Sequence, residues 1–198
     1  MTTEALRGGF TDAPVQSARA FRILLEALAR PGTIHEIAGG NPPAPLSPAA
    51  GIALLTLADG TTPIFLCDSV NTGPVRDWIR FHIGAPVVSG RDPSDCAASA
   101  IAFACGTLGE IAFHKDSFPI GDPDYPDRSA TLIIEVPELT NTGAALTGPG
   151  IRTVQHLSLP ELALFQQNHA LFPLGFDFIL TCGTRLAGVP RSTAIGEN

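Results

Sequence analysis

The chain of 198 residues has little charge and one lysine. Charged residues make up 16% of the sequence, against about a quarter in typical soluble domains. The net charge is −7 and no basic run occurs, which excludes nucleic-acid binding, because displacing phosphate counterions needs clustered Lys and Arg. Lys115, the single lysine, lies in a proline-rich stretch. This argues against a pyridoxal enzyme, which needs a well-placed lysine to hold its cofactor, and no cofactor is predicted.

Long apolar runs are also absent. No stretch reaches the roughly 18 uninterrupted apolar residues that a membrane span needs. Met1 is followed by polar, acid-containing sequence rather than by a basic and then apolar signal. The sequence therefore predicts a cytoplasmic protein that does not enter the membrane.

Metal-binding patterns are missing too. The four cysteines form no CxxC pair, and we predict them to be reduced and mostly buried: Cys67, Cys96, Cys105 and Cys182. One loop offers a ring nitrogen and four carboxylates: His114, Asp116, Asp122, Asp124 and Asp127. Such groups can hold a divalent cation, but their spacing fits no known cation loop and three prolines stiffen the path. The sequence predicts a solvated acidic loop with no metal.

The length predicts one domain over residues 1–198. Four helices are predicted: APVQSARAFRILLEALARPG, AAGIALLTLAD, GPVRDWIRFHIG and PELALFQQNHALF. Predicted strands are TPIFLC, APVVSG, SATLIIEV, AALTGPGI, RTVQHLSL and two within FDFILTCGTRLAGVP. A further helix and strand between residues 92 and 109 cannot be delimited, and residues 111–127 look like loop. Since helices and strands interleave, the predicted fold class is α/β, a three-layer mixed sheet flanked by helices.

The first of these helices is amphipathic. Its apolar residues recur at helical spacing: Val15, Ala18, Phe21, Leu25 and Leu28. Asp12 is the candidate N-cap, and Pro31-Gly32 ends the helix.

Two stretches have residues that suit an anion. Arg80, Phe81 and His82 are consecutive on a helix and point in different directions, so this helix alone cannot form a site from them. For His82, a hydrogen-bonded position at the helix C-terminal end is the alternative to a general base. Gly148 and Gly150 in the turn TGPGI offer backbone amides that can cradle an anion. The alternative is a hairpin turn, since no Lys-Ser or Lys-Thr pair follows.

The segment GDPDYPDRSATLIIEV places an acidic, proline-stiffened turn before the strongest strand. Tyr125 and Arg128 flank this turn. Aromatic and arginine side chains on a rigid base are typical anchors of interfaces, so we expect a docking surface or the rim of a ligand site. The alternative is a strand entry in which Arg128 pairs with a nearby aspartate. No GxSxG or other nucleophile motif occurs, and no catalytic residue is predicted.

Five stretches in this order resemble one family: GFTDAPVQSARAFRILLEALARPGTI, WIRFHIGAPVV, DYPDRSATLIIEV, LTGPGI and FPLGFDFILTCGTRLAGVPRST. The family is PhnH, the H subunit of the bacterial carbon-phosphorus lyase system, and the resemblance runs from Gly9 to Thr193. Two local departures are Thr184, where many relatives have an acid, and a proline in the loop IGDPDYPDRS.

The resemblance implies a subunit role in phosphonate breakdown, beside partner subunits G, I and J. With an ATPase-like L protein, the family is associated with replacing the adenine of ATP by an alkylphosphonate, which gives ribose 1-alkylphosphonate 5-triphosphate. It also implies a fold similar to the large domain of PLP-dependent transferases without PLP, and a homodimer when the subunit is isolated. No catalytic residue can be carried over, so the implied role is non-catalytic or co-catalytic.

Two other functions remain open from the sequence. The chain could be a stand-alone enzyme whose pocket holds a phosphate or phosphonate between Arg80, His82 and the Gly148–Gly150 turn. It could also be a structural dimer that orders its neighbours without contacting any ligand.

Overall fold

A computed structural model describes residues 6–89 and 101–196. Its helices are α1 (Ala13–Ala29), α2 (Pro48–Leu57), α3 (Gly73–His82), α4 (Leu108–His114) and α5 (Leu162–His169). Its strands are β1 (His35–Glu36), β2 (Ile64–Leu66), β3 (Val87–Ser89), β4 (Phe103–Thr107), β5 (Thr131–Glu135), β6 (Ala144–Thr147), β7 (Gln155–Leu157), β8 (Asp177–Cys182), β9 (Arg185–Val189) and β10 (Ala194–Gly196). The mixed α/β class predicted from the sequence is confirmed.

The main sheet has seven strands in the order β1-β9-β8-β5-β4-β2-β3. The five strands from β8 to β3 are parallel, whereas β9 and β1 are antiparallel to their neighbours. In the centre, Ile133 of β5 lies between Cys105 of β4 and Ile179 of β8. Parallel strands are covered on both faces, which is why these segments read as apolar runs.

A smaller antiparallel sheet is formed by β10, β6 and β7. The two strands predicted around the Gly-Pro-Gly turn are confirmed, with Ala144 opposite Leu157. They do not extend the main sheet but form this separate one. The short strands β1 and β10 were not predicted, since two or three residues leave no alternating pattern to detect.

The main sheet separates two hydrophobic cores. On one face α1, α2 and α3 bury Leu24, Leu54 and Trp78 against the strands. On the other face α4, α5 and the small sheet pack around Phe165 and Phe178. The predicted three-layer arrangement is therefore present, with a small sheet sharing the second helical layer.

The side of helix α1 that packs on the core is not the side that carries most of its large apolar residues. Its buried residues are Ala20, Leu24 and Ala27. The helix lies so close to β9 that a Cβ on Gly188 would stand 2.6 Å from the carbonyl oxygen of Ala27. The residues whose spacing predicted the helix face outward: Val15 is 44% exposed, Phe21 49% and Leu25 56%.

The starts of the next two helices follow from local sequence. The Ser47 hydroxyl accepts a hydrogen bond from the backbone N–H of Ala50 at 3.2 Å, and Pro48 occupies the first turn of α2. Thr72 caps α3 in the same way. α2 has ten residues and is buried along most of its length. Among the described residues, no helix combines the length and apolar character needed to cross a bilayer.

One predicted loop is partly wrong. Residues 111–114 belong to α4, and a short 3-10 helix follows at Lys115–Ser117. The helix begins at a local signal, a Thr107 N-cap with Glu110 three residues later. Cys96 and residues 92–100, half of the undelimited stretch 92–109, lie outside the described residues. Of the other cysteines, Cys67 and Cys105 are buried and Cys182 is half-buried, all as free thiols.

Candidate functional site

Arg80 and His82 lie at the C-terminal end of α3. The His82 ring packs against Trp78 with 5.3 Å between centroids, and its Nε2 is 3.3 Å from the carbonyl oxygen of Arg7. Arg80 is exposed. His82 thus occupies the hydrogen-bonded position at a helix end that the sequence offered as the alternative to a general base.

The Gly-Pro-Gly turn lies at the opposite end of α1 from His82. Gly150 has a φ of +80°, and a Cβ there would be 2.0 Å from the carbonyl oxygen of Ala29. His82 instead lines a cavity of about 310 Å³ beside Pro14, at the start of α1. A helix of 17 residues is about 25 Å long. The structure therefore does not bring Arg80, His82 and the Gly148–Gly150 turn into one pocket. The turn instead packs against the C-terminal end of α1.

Tyr125 and Arg128, in contrast, form a pair. The Arg128 Cζ lies 3.9 Å from the centroid of the Tyr125 ring, and such a cation–π contact contributes about 0.5–1 kcal/mol at an exposed site. The turn is shaped by Asp122, whose Oδ1 accepts hydrogen bonds from the backbone N–H groups of Asp124 at 3.0 Å and Tyr125 at 2.9 Å. Within the described residues Arg128 forms no ion pair with an aspartate. The proposed Arg128–Asp pair is therefore not formed.

Arg191 holds this turn against the sheet. Its guanidinium donates to the carbonyl oxygen of Pro126 at 2.6 Å and to the Ser129 hydroxyl. The same group forms an ion pair with Asp177 at 2.7 Å. Asp177 begins β8 and Arg191 follows β9, so one side chain ties the turn before β5 to the neighbouring strands. Sequence reasoning missed Arg191, because its partners lie 14 to 65 residues away.

The acidic loop borders a cavity of about 450 Å³ with a mainly apolar wall: Phe118, Ile120, Leu164, Leu171 and Phe176. At its mouth Lys115 pairs with Asp116 at 3.0 Å. Within the parts of the chain that the structure describes, no group of three or more His, Cys, Asp or Glu side chains is placed to hold a metal ion.

The topology points to another position, the carboxyl ends of β2 and β4. β2 leads into α3 on one face of the sheet, and β4 leads into α4 on the other face. Ligands of open α/β sheets bind at such switch points. Here the Glu110 carboxylate spans the gap: it accepts the N–H of Ser69 at 2.8 Å, the Ser69 hydroxyl, the N–H of Thr107 at 3.0 Å and the Thr107 hydroxyl at 2.6 Å. These four bonds use the acceptor capacity of the carboxylate.

At this edge, the surroundings of the ionisable side chains shift their pKa values. Burial alone would raise the pKa of Glu110, but the hydrogen bonds from Ser69 and Thr107 outweigh burial and lower that pKa. Burial, followed by the nearby carboxylates of Glu110 and Asp68, raises the pKa of Cys67 to about 12. Burial also raises the pKa of Cys105 well above its usual value. Because the thiolate is the reactive form, these two thiols are poor nucleophiles at neutral pH.

A second carboxylate, Glu135, joins the sheet edge to α2. Its Oε1 accepts the backbone N–H of Ser47 at 2.8 Å, and its Oε2 accepts the Thr181 hydroxyl at 3.0 Å. A negative charge at a helix N-terminus is stabilising because it faces unpaired N–H groups. Glu110 and Glu135 are thus used to connect elements of the fold.

Comparison with known proteins identifies the family of this chain. The family model described as "Bacterial phosphonate metabolism protein (PhnH)" matches residues 8–196. The chain is also 36% identical over 196 residues to alpha-D-ribose 1-methylphosphonate 5-triphosphate synthase subunit PhnH of Rhizobium meliloti (strain 1021), covering 95% of this chain and 94% of the relative. The chain belongs to the PhnH family.

A second relative is more distant. The chain is 28% identical over 182 residues to a protein of Stutzerimonas stutzeri assigned as C-P lyase subunit protein HtxG, covering 89% of this chain and 84% of that protein. The resemblance to the PhnH family seen in five ordered sequence stretches is therefore confirmed. Thr184, which departs from the pattern expected for PhnH proteins, lies in the β8–β9 turn, where its carbonyl oxygen accepts the N–H of Ile37 at 2.9 Å.

In this PhnH protein the carboxyl edge was not predicted as a site. One readable signal was Thr107 followed three residues later by Glu110, the start signature of a helix. The tight contact at Gly106 gives no such signal: a Cβ there would be 2.4 Å from the Cβ of Cys67. Only the pairing of β2 with β4 brings these residues together.

Proposed function

We propose that this chain acts as a subunit of a carbon-phosphorus lyase assembly in organic phosphonate catabolism, supporting formation of ribose 1-alkylphosphonate 5-triphosphate from ATP and an alkylphosphonate. The observation that carries the proposal is the match along nearly the full length to a relative named as the PhnH subunit of alpha-D-ribose 1-methylphosphonate 5-triphosphate synthase. Because the proposed reaction consumes ATP, the assembly works in the cytoplasm.

The proposed partners are the G, I and J subunits, and the isolated chain forms a homodimer. Large apolar side chains left at the surface of helix α1 support a protein built for assembly: Val15, Phe21 and Leu25. These three side chains lie within eleven residues of one helix, and clustered apolar surface marks interaction sites. The likeness to the large domain of PLP-dependent transferases stays a prediction from the resemblance.

Within this proposal the chain is non-catalytic or co-catalytic on its own. Three side chains at the sheet edge that could take part in chemistry support this role. The Glu110 and Glu135 carboxylates accept internal hydrogen bonds, and Cys67 is held protonated. A carboxylate that already accepts hydrogen bonds from its own fold has less acceptor capacity left for a substrate.

Reconstitution tests the proposal. The co-purified G, I and J subunits, supplied with the L protein, ATP and methylphosphonate, release adenine when this chain is added and do not when it is left out. Release of adenine by this chain alone would contradict the subunit role and favour a stand-alone enzyme. Full activity without the chain would contradict any role in the reaction.

For the Tyr125–Arg128 pair, the proposed role is docking of a partner subunit or forming the rim of a ligand site. The pair supports this because it is exposed, preorganised by the Asp122 turn and held from behind by Arg191. Replacing Tyr125 and Arg128 by alanine weakens co-purification with the G, I and J subunits, while the free energy of unfolding changes by only about 0.5 kcal/mol, as expected at the surface. Unchanged co-purification would remove the docking role.

A further inference from the structure

The outer side of α1 is an apolar stripe that the described residues leave exposed. Val15, Ala18, Leu25 and Ala29 recur at spacings that place them on one helix face, with Phe21 at its border. We call these five residues the outer stripe. The three large ones are each about half exposed, although the buried side of the same helix already supplies the core contacts through other residues.

This distribution is unusual for a helix at the surface of a domain. Such a helix normally has one apolar side, toward the core, and a polar side toward water. Here both sides are apolar. The inner side supplies the packing on the core, so the outer stripe is not needed for that packing. Three large exposed side chains within eleven residues form a contiguous patch, whereas single exposed apolar residues would need no explanation.

The charges beside the outer stripe are mainly positive. Arg22 lies within the stripe and Arg19 borders it, and both side chains are exposed. Neither belongs to the three ion pairs found among the described residues, whereas Glu26, the acid of this helix, is paired with Arg30 at 2.9 Å. This concentration of positive charge contrasts with a chain whose net charge is −7.

The sign of these charges identifies the kind of partner. If two copies of the chain paired through α1 about a two-fold axis, each stripe would meet itself. Arg22, near the middle of the stripe, would then face its own copy, and like charges across an interface are unfavourable. An acidic surface removes that repulsion and supplies partners for both arginines.

The shape of the stripe favours a helix as the occupant. Ala18 and Ala29 are small and alternate with the larger Phe21 and Leu25, which gives the ridges and grooves that helices use to pack. With 17 residues, α1 provides about 25 Å of such surface. A partner helix with apolar residues at spacings of three and four would lie along it.

We propose that the outer stripe of α1 binds an amphipathic helix of another subunit, whose apolar side packs on Val15, Phe21 and Leu25 and whose acidic residues pair with Arg19 and Arg22. This inference rests on the proposed function, because it assigns one surface to the assembly with the G, I and J subunits. It adds the surface, the partner's secondary structure and the sign of the partner's charge.

Two variants and two matched controls test the proposal in co-expression with tagged G, I and J subunits. Phe21→Ser with Leu25→Ser lowers the recovery of this chain about tenfold or more, since central apolar anchors contribute about 2 kcal/mol or more each. Phe113→Ser, at a residue that is 82% exposed, is the control and leaves recovery unchanged. Arg22→Glu lowers recovery, whereas Arg152→Glu, which makes the same charge change at another exposed arginine, does not.

The outcomes separate the inference from the proposed function. If the wild-type chain is not recovered with the tagged subunits, the proposed function fails. If the wild-type chain and the Phe21/Leu25 variant are recovered equally, the proposed function stands and the inference is overturned. An effect of the apolar variant without an effect of Arg22→Glu overturns the acidic-helix assignment.

Three further measurements use the intact chain and complex. Hydrogen exchange of the wild-type complex shows added protection of residues 15–29 relative to the free chain, and its absence would overturn the inference. Light scattering shows the same oligomeric state for the free wild-type chain and the Phe21/Leu25 variant. Loss of a dimer in that variant would show that the occupant is a second copy, and stripe-dependent binding to vesicles containing phosphatidylglycerol would show a membrane; either result overturns the proposal.

Discussion

The carboxyl edge of the main sheet and the outer stripe of α1 treat their side chains in opposite ways. At the edge, Glu110 and Glu135 are satisfied by groups of the same chain. On α1, large apolar residues face water, and among the described residues Arg19 and Arg22 are exposed and belong to no ion pair. The two carboxylates that could take part in chemistry therefore stabilise the fold. The side chains that the fold does not use are the ones available to other molecules. Changes at the edge should act on stability, and changes on α1 should act on assembly.

The largest expected effect is that of Gly106→Ala. The new Cβ would stand 2.4 Å from the Cβ of Cys67, and overpacking of this kind reduces the free energy of unfolding by about 3 kcal/mol. Urea denaturation measures the loss. Gly109→Ala is the control, since nothing lies within 4 Å of its Cβ position. Adding Cys67→Gly to Gly106→Ala should restore part of the loss, and equal losses for the two alanine variants would contradict the close contact.

Next in size is Arg191→Ala. Removing the guanidinium leaves the Pro126 carbonyl without its donor and leaves Asp177 with only the backbone N–H of residue 191, so the free energy of unfolding should fall by about 2 kcal/mol. The exposed Arg152→Ala is the control and should remain within about 0.5 kcal/mol of the wild type. In the Arg191 variant, hydrogen exchange should also be faster in residues 122–129. Stability loss without faster exchange there would show that Arg191 does not hold the turn.

A smaller effect, dependent on pH, is expected for Glu110→Gln. Hydrogen bonds lower the folded-state pKa of Glu110 below its ordinary value of 4.5, so its contribution is complete above that value and is lost as the pH falls through the folded-state pKa. The variant should lose about 1 kcal/mol at pH 7 and should approach the wild type in denaturant titrations as the pH falls below 4.5. Glu138→Gln, at an exposed acid, should show no such convergence. A difference that is constant from pH 7 to pH 3 would contradict the stabilised carboxylate.

The smallest expected effect concerns thiol reactivity rather than stability. With its pKa raised to about 12 and its side chain buried, Cys67 should remain unlabelled by iodoacetamide at pH 7.5 in the native protein. Cys182, which is half-buried, should be labelled first, and both should be labelled in urea. Peptide mass spectrometry distinguishes the two sites. Rapid native labelling of Cys67 would show that the edge is open and reactive.

The contrast also explains how much the sequence could predict. The segments that form helices α1, α2, α3 and α5 and strands β2, β5 and β8 follow from patterns within a few residues, and these were predicted. The side of α1 that is buried could not be, because the helix has two apolar sides and the choice depends on the close approach of Gly188. The network at the sheet edge joins residues separated by 41 and 88 positions, so no local pattern indicates it.

The site at Tyr125 and Arg128 was predicted only in part. The sequence placed both at the same turn, and the structure stacks one on the other. The support from Arg191 behind them was invisible, since its location depends on how β8 and β9 pair. Conversely, Arg80 and Gly150 were grouped on residue type alone, and the length of α1 separates their surroundings.

The close approach of α1 to Gly188 has one more consequence. With the Ala27 carbonyl lying where any side chain on that glycine would have to be, the helix cannot be lifted, slid or rotated without breaking contact with the sheet. Whatever associates with its outer side thus meets a helix whose backbone packs directly on the sheet, so that little ordering of the helix itself is needed when the complex forms.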